Sequence, residues 1–351
     1  MVHKIGIIGA GVIGRLRART VHANAQTALT AVFDPDLALA AAAAVGGAIP
    51  VTSLDALFDQ PLDAVIISSP IHVHEAAAVE AFQRGLHVLC EKPLSNSVTS
   101  CRDMVAAAVS AERVFAVGFN QRLLPSMKYI RGILDAGTIG ALDHVRLFGG
   151  HDGLGNFRTD WQYRMPESGG GATMDIGIHM ADFGRYFLGD ITEVYGSASE
   201  RVWKLPGSED NAIAIFHNQQ GIPASYHATW NEWAGFRVVV EVYGELGMVR
   251  GSYGPMRNTL ITHERPGARR RTTRKFYPDV ILREKLQSWE VTTQLSFAEE
   301  LEQFVARMAG ATGGTLADGH DGLRAVEVAH AIRQSAHSRQ VVQLPPLGPM
   351  R

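Results

Sequence analysis

Cysteine is almost missing from this chain. Cys90 and Cys101 are the only two in 351 residues, too few for a disulfide framework. Cys90 lies in an apolar run and Cys101 opens an expected helix, so both read as buried free thiols rather than metal or redox groups. A reducing, cytoplasmic compartment fits that reading. No charge sign dominates, with 33 Lys and Arg against 35 Asp and Glu. A general nucleic-acid binder needs a basic excess to displace counterions, so that class is set aside. Long apolar runs are lacking too. The opening MVHKIGIIGAGVIG is too short to span a membrane and has no small-residue cleavage site after it. The alanine-rich tract at 38–44 has the length of a helix and no more. There is no internal repeat and no low-complexity linker. What remains, 46% hydrophobic and 19% charged residues, is the composition of an ordinary globular protein with length for two cores.

The first third alternates strand and helix signals. Residues 4–8, 29–33, 64–68, 87–90 and 114–119 are apolar, strand-like runs. Helical stretches stand between them at 12–23, 36–45, 75–84 and 97–110, with Gly46-Gly47 and Gly85 as stops. Apolar strands alternating with helices predict a parallel sheet covered on both faces. Beyond Pro125 the rhythm changes. After one helix near 126–136, strand-like segments at 142–148, 194–199, 211–217, 224–230 and 236–243 predict a large, mostly antiparallel sheet. Two late helices follow near 294–309 and 322–338, and the tail LPPLGPMR is expected to fray. The fold class is therefore α/β, with an N-terminal doubly wound domain at 1–122 and a C-terminal α+β domain at 123–351, whose last helix can pack back on the first. The basic run RPGARRRTTRK, from Arg265 to Lys275, reads as a solvated hairpin loop, with anion steering as its functional alternative.

Gly9-Ala10-Gly11-Val12-Ile13-Gly14 fits G-x-G-x-x-G between a buried strand and a helix. In that pattern the first glycine permits a tight turn, the second lets a pyrophosphate approach, and the third lets helix and strand pack closely. The phosphates meet a helix N-terminus, whose free N–H groups favour anions. Asp34 ends the second expected strand, where a carboxylate accepts the ribose hydroxyls and repels a 2′-phosphate. Pro35 follows it, not a basic residue. NAD is thus expected over NADP, and Asp36 is the better cap for the next helix.

Two further segments carry chemistry. HVLCEKP puts Glu91-Lys92-Pro93 at the end of an apolar strand, the edge where open α/β sheets bind ligands. GGGATMDIGIH puts Asp175 and His179 four residues apart, on one face if the segment is helical. Histidine suits the removal of a hydroxyl proton near neutral pH, and an ammonium stabilises a developing alkoxide. His72 and His74 read as positioning groups, while His151 and Asp152 can face substrate. A satisfied structural role is the plainer reading of all four.

Taken together these residues resemble the glucose–fructose oxidoreductase / inositol dehydrogenase / rhizopine catabolism (Gfo/Idh/MocA) family over nearly the whole chain. The matching positions are the glycine motif, Asp34, Ser69-Pro70 with His74, Glu91-Lys92-Pro93, Asn120 with Arg122, and Asp175 with His179. Ser68-Ser69-Pro70 stands for the more usual Ala-Thr-Pro, and Arg17 for a frequent histidine. The resemblance implies a Rossmann domain, an active site between the domains, and a homodimer or homotetramer assembled through the large sheet. It implies that Gly9, Ala10, Gly11, Val12, Ile13, Gly14, Asp34, Ser69, Pro70, His74, Glu91 and Lys92 contact NAD. It implies that Lys92, Asp175 and His179 are catalytic, and that Asn120 and Trp161 line the substrate pocket. No metal is implied.

The leading expectation is hydride transfer between a sugar, cyclitol or sugar-derivative hydroxyl and the nicotinamide. The alternative is a redox-neutral glycosidase or lyase that oxidises transiently and eliminates, for which Asp152, Asp160, Tyr163 or Glu167 would supply an extra acid or base. A ligand sensor would have no use for Lys92, Asp175 and His179. Specificity is expected from the loop at 156–167.

Overall fold

Six short strands in the first third build one sheet: β1 (His3–Ile8), β2 (Thr27–Phe33), β3 (Ile49–Val51), β4 (Ala64–Ile67), β5 (His87–Cys90) and β6 (Phe115–Val117). Their order is β3-β2-β1-β4-β5-β6 and every pairing is parallel. The computed structural model describes residues 2–153 and 160–345, without the side chain of Asp160. Asn156 and the tail from 346 onward therefore lie outside the described residues. By its contacts the chain divides into two units, one of 1–123 with 283–323, the other of 124–282 with 324–351. Residues 283–323, which sequence reading put in the second domain, return to the first.

The return has a physical basis. Helix Glu290–Met308 packs on helix Val12–Ala23 and buries Leu301, Phe304 and Val305 in one core with Ile5, Ile7, Val32, Ile66 and Leu89. Burial of this kind contributes about 1.5–3 kcal/mol per large apolar side chain. β3 and helix Leu54–Phe58 escaped sequence reading, because a three-residue edge strand containing Pro50 has no periodicity to read.

The second unit is a nine-stranded sheet. Its strands are β7 (Leu142–Gly150), β8 (Ile191–Ser199), β9 (Asn211–Asn218), β10 (Pro223–Thr229), β11 (Arg237–Gly244), β12 (Gly247–Tyr253), β13 (Arg257–Thr262), β14 (Arg271–Phe276) and β15 (Val342–Gln343). The order is β14-β13-β12-β11-β7-β10-β9-β8-β15. Among these strands only β7 and β10 pair in parallel. Side chains alternate in and out. Ala212, Ala214 and Phe216 of β9 are buried on one face, while Ile213 and Ile215 are 51% and 49% exposed on the other. β12, β13 and β14 were not expected. The segment 271–276 read as loop because all six of its residues are exposed: an edge strand without a buried face has no alternation to detect.

Backbone packs closely where β1 meets its helix. Gly9 has φ +92°, and a Cβ there would lie 2.6 Å from the Ser69 amide nitrogen. A Cβ on Gly14 would lie 1.9 Å from the Gly9 carbonyl oxygen. Backbone on both sides leaves no flexible atom to move. Gly14→Ala is expected to lower unfolding free energy by about 1–3 kcal/mol or more, read as a shift in the midpoint of urea denaturation.

Candidate active site

The turn after β1 delivers Gly11 as N-cap of helix Val12–Ala23, with no side chain capping the helix amides. A Cβ on Gly11 would meet nothing within 4 Å, so the protein's own packing does not require glycine there. Asp34, at the end of β2, accepts the Ala10 N–H at 2.8 Å and the Asp36 N–H at 3.0 Å. The carboxylate is thus locked to the glycine turn, and among the described residues it pairs with no Lys or Arg. Asp36 caps helix Leu37–Ala43 through the Ala38 N–H. At the end of β4, the buried hydroxyls of Ser68 and Ser69 have no hydrogen-bond partner among the described residues. Open space over Gly11, uncapped helix amides, a fixed carboxylate and two orphaned hydroxyls at one sheet edge fit a dinucleotide.

Lys92 stands two residues beyond β5 at that same edge. Glu91 points back into the protein, and its Oε1 accepts Arg17 Nε at 2.9 Å and Nη2 at 2.6 Å. His74 sits between the loops after β4 and β5, with Nε2 2.9 Å from the Ser69 carbonyl oxygen and Nδ1 3.1 Å from that of Leu94. Burial pulls its pKa down. Both side chains, expected at the cofactor, engage protein groups and hold the Ser69 and Lys92 loops. Asn120 donates its amide N–H to Ser296 Oγ at 2.7 Å. Arg122 is buried and pairs with Asp321 at 3.0 Å.

In the second unit, Asp175 and His179 do not share a helix. The Gly177 N–H reaches back five residues to Ala172 O at 2.8 Å, so the turn is wider than α, and the regular helix is Gly177–Leu188. Asp175 lies in that turn and His179 is buried in the first helical turn. The helix presses on β10, for a Cβ on Gly177 would sit 2.0 Å from the Tyr226 hydroxyl.

Asp175 Oδ2 lies 2.9 Å from His151 Nε2 and accepts Trp230 Nε1–H at 3.0 Å. The Gly153 N–H donates to His151 Nδ1 at 3.1 Å, so a neutral His151 carries its proton on Nε2 and donates it to Asp175. The parallel pair explains the meeting. Gly150 of β7 lies opposite Thr229 of β10, and the next residues, His151 and Trp230, emerge side by side. Sequence reading named His151 without this partner and missed Trp230, because no local pattern encodes a contact across 55 positions. Glu209 was also missed. It accepts the Gly171 and Thr173 N–H groups at 3.0 and 2.9 Å and pairs with Arg333, fixing the turn that carries Asp175. Trp161 lies in the helical turn Asp160–Tyr163, and Glu167 pairs with Arg164.

Residues 3–119 match the family described as "Oxidoreductase family, NAD-binding Rossmann fold", and residues 127–250 match the GFO/IDH/MocA C-terminal domain. The chain belongs to the GFO/IDH/MocA oxidoreductase family. An inositol 2-dehydrogenase of Rhizobium meliloti (strain 1021) is 28% identical over 97% of this chain and 99% of its own length. A 1,5-anhydro-D-fructose reductase of Ensifer adhaerens is 30% identical over 64% of this chain and 69% of its own. The fold is that of a levoglucosan dehydrogenase solved with NADH and levoglucosan, with a TM-score of 0.87, 22% identity, and coverage of 99% of this chain and 100% of that one. The matched N-terminal family is NAD-binding by description, and the cofactor is NAD. A fixed Asp34 that pairs with no Lys or Arg among the described residues disfavours a 2′-phosphate. The catalytic efficiency measured with NAD is expected to exceed that with NADP by roughly tenfold or more, the effect of about 1.4 kcal/mol; parity would contradict the role given to Asp34.

Proposed function

We propose that this enzyme transfers hydride between a hydroxyl of a sugar, cyclitol or sugar derivative and NAD, using Lys92, His179 and Asp175. The carrying observation is the pair of arrangements just described. A lysine follows a strand at the dinucleotide edge, with a buried, ion-paired carboxylate just before it. A carboxylate bound by two N–H donors stands four residues before a buried histidine. The named relatives support the substrate class, since inositol, 1,5-anhydro-D-fructose and levoglucosan are all polyhydroxylated rings.

NAD when bound supplies the hydride acceptor. The protein supplies alignment and proton handling. The Lys92 ammonium hydrogen-bonds the reacting oxygen and stabilises the alkoxide that develops there. His179 takes the hydroxyl proton in oxidation and returns it in reduction. Asp175, its Oδ2 held by His151 and Trp230, accepts from a neighbouring hydroxyl and sets the ring's orientation. Asn120, tethered by Ser296, and Trp161 line the pocket.

A panel of inositols, anhydrosugars, aldoses and uronates, followed by absorbance of reduced cofactor, tests the reading. Formation of one NADH per product is expected. A product formed without net NADH would replace it with the redox-neutral lyase or glycosidase. Lys92→Ala and His179→Ala are each expected to lower turnover by ~10²–10⁴-fold in folded protein. Near-wild-type turnover of His179→Ala, with chemistry rate-limiting, would remove His179 as the base.

A homo-oligomer formed through the open face of the large sheet belongs to the same proposal. Tyr195 and Ile215 face each other across β8 and β9, and with Ile213 they expose an apolar row at 49–51%, more than isolated surface residues explain. Sedimentation is expected to give a dimer or tetramer, and Ile213→Glu with Ile215→Glu to give monomer. A monomeric wild type would end this part of the proposal.

A further inference from the structure

Arg17 is 1% exposed, and a guanidinium does not lose its charge to ease burial. It is held from three sides. Glu91 Oε1 takes Nε and Nη2; Nη1 lies 2.6 Å from Glu300 Oε2, outside good hydrogen-bond angles; and the Phe297 ring lies 3.5 Å from Cζ. These contacts tie helix Val12–Ala23 and helix Glu290–Met308 to the residue after β5. A Cβ on Gly118 would stand 2.9 Å from Glu91 Oε2 and 3.0 Å from Arg17 Nη2, so backbone closes the remaining side. Glu91 Oε2 in turn lies 3.3 Å from the Lys92 backbone nitrogen. Stability does not account for the cluster. Buried ion pairs can often be replaced by apolar residues of similar volume without loss, and Leu301, Phe304 and Val305 on the same helix already supply apolar packing.

We infer that Arg17 and Glu300 are positioning residues that fix the Glu91 carboxylate and, through it, the placement and charge of Lys92. This rests on the reading that Lys92 meets substrate. The groups facing Glu300 are Arg17 on the first helix, Glu91 after β5, and Arg122 after β6, the last paired with Asp321. Two carboxylates share Arg17, and burial raises the Glu300 carboxyl to about 7. Glu300 is therefore ionised and pulls fully on Arg17 above that pH. Below it Glu300 takes up a proton, Arg17 keeps Glu91 as its one ionised partner, and the cluster near Lys92 loses one negative charge.

The test reads Lys92 directly. The full chain is labelled with trace acetic anhydride from pH 6 to 9, and Lys92 acetylation is followed by peptide mass spectrometry. In Glu300→Gln one negative charge is gone, so the Lys92 ammonium is less favoured. Labelling is expected to run roughly threefold faster than wild type above about pH 7, where Glu300 is ionised, and to converge with it below, the size expected of removing one negative charge from the cluster. Gly118→Ala changes no charge but pushes Glu91 aside, and is expected to alter Lys92 labelling by a similar factor at every pH. It decides the matter if Glu300→Gln does not fold. NAD affinity within about threefold of wild type shows that the glycine cradle is intact. Wild-type labelling profiles in the folded variants would overturn the inference. Labelling does not depend on what Lys92 does to substrate, so unimpaired turnover of Lys92→Ala would sink the proposed function alone.

Discussion

Parallel strand pairing is the constraint from which both sets of functional groups follow. Strands that run the same way end on the same edge, so whatever follows each one is delivered to its neighbour. In the six-stranded sheet this collects the Gly9 turn, Asp34, Ser68-Ser69 and Glu91-Lys92 from positions far apart in sequence. In the nine-stranded sheet the rule operates once. The pairing of β7 with β10 brings His151 beside Trp230, and both onto Asp175. Antiparallel pairing would have sent those two residues to opposite ends of the sheet.

Polar groups near the candidate site are arranged in tiers. Those expected to touch ligand have side chains of the right chemistry at strand ends or helix starts. Behind them stand groups engaged by protein: Glu91 on Arg17, His74 between the Ser69 and Leu94 carbonyls, Glu209 on the Gly171 turn. Buried polar networks of this type rigidify what they support, because every broken contact strands a desolvated partner.

What the sequence disclosed divides along the same line. Helix Val12–Ala23 and β5 were legible to the residue, because a buried strand and a helix opened by a glycine turn carry local signals. The glycine motif and Asp34 were legible because their spacing is set within one βαβ unit. Lys92 and His179 were singled out by neighbouring residues and by a family pattern. Trp230, Glu209 and Glu300 were not, since each acts across a long stretch of chain and their immediate surroundings are ordinary. Asp175 shows a subtler failure. Its spacing from His179 suggested a helix, but the Gly177 bond to Ala172 widened the turn. Exposed strands such as β14 were hidden for the opposite reason, having no buried face to impose a pattern.

β14 has a consequence for how the large sheet behaves in a crowded solution. An outermost strand offers unpaired backbone groups on which another chain could continue the sheet, the first step toward disordered aggregates. Here that strand carries Arg271, Arg274 and Lys275, all exposed. An approaching copy would have to bring like charges together in register. At the opposite border β15 is two residues long, too short to template anything. Growth by strand addition is closed at both borders, by repulsion at one and by brevity at the other. A sheet of nine strands can therefore stay wide and open on one face without becoming a seed.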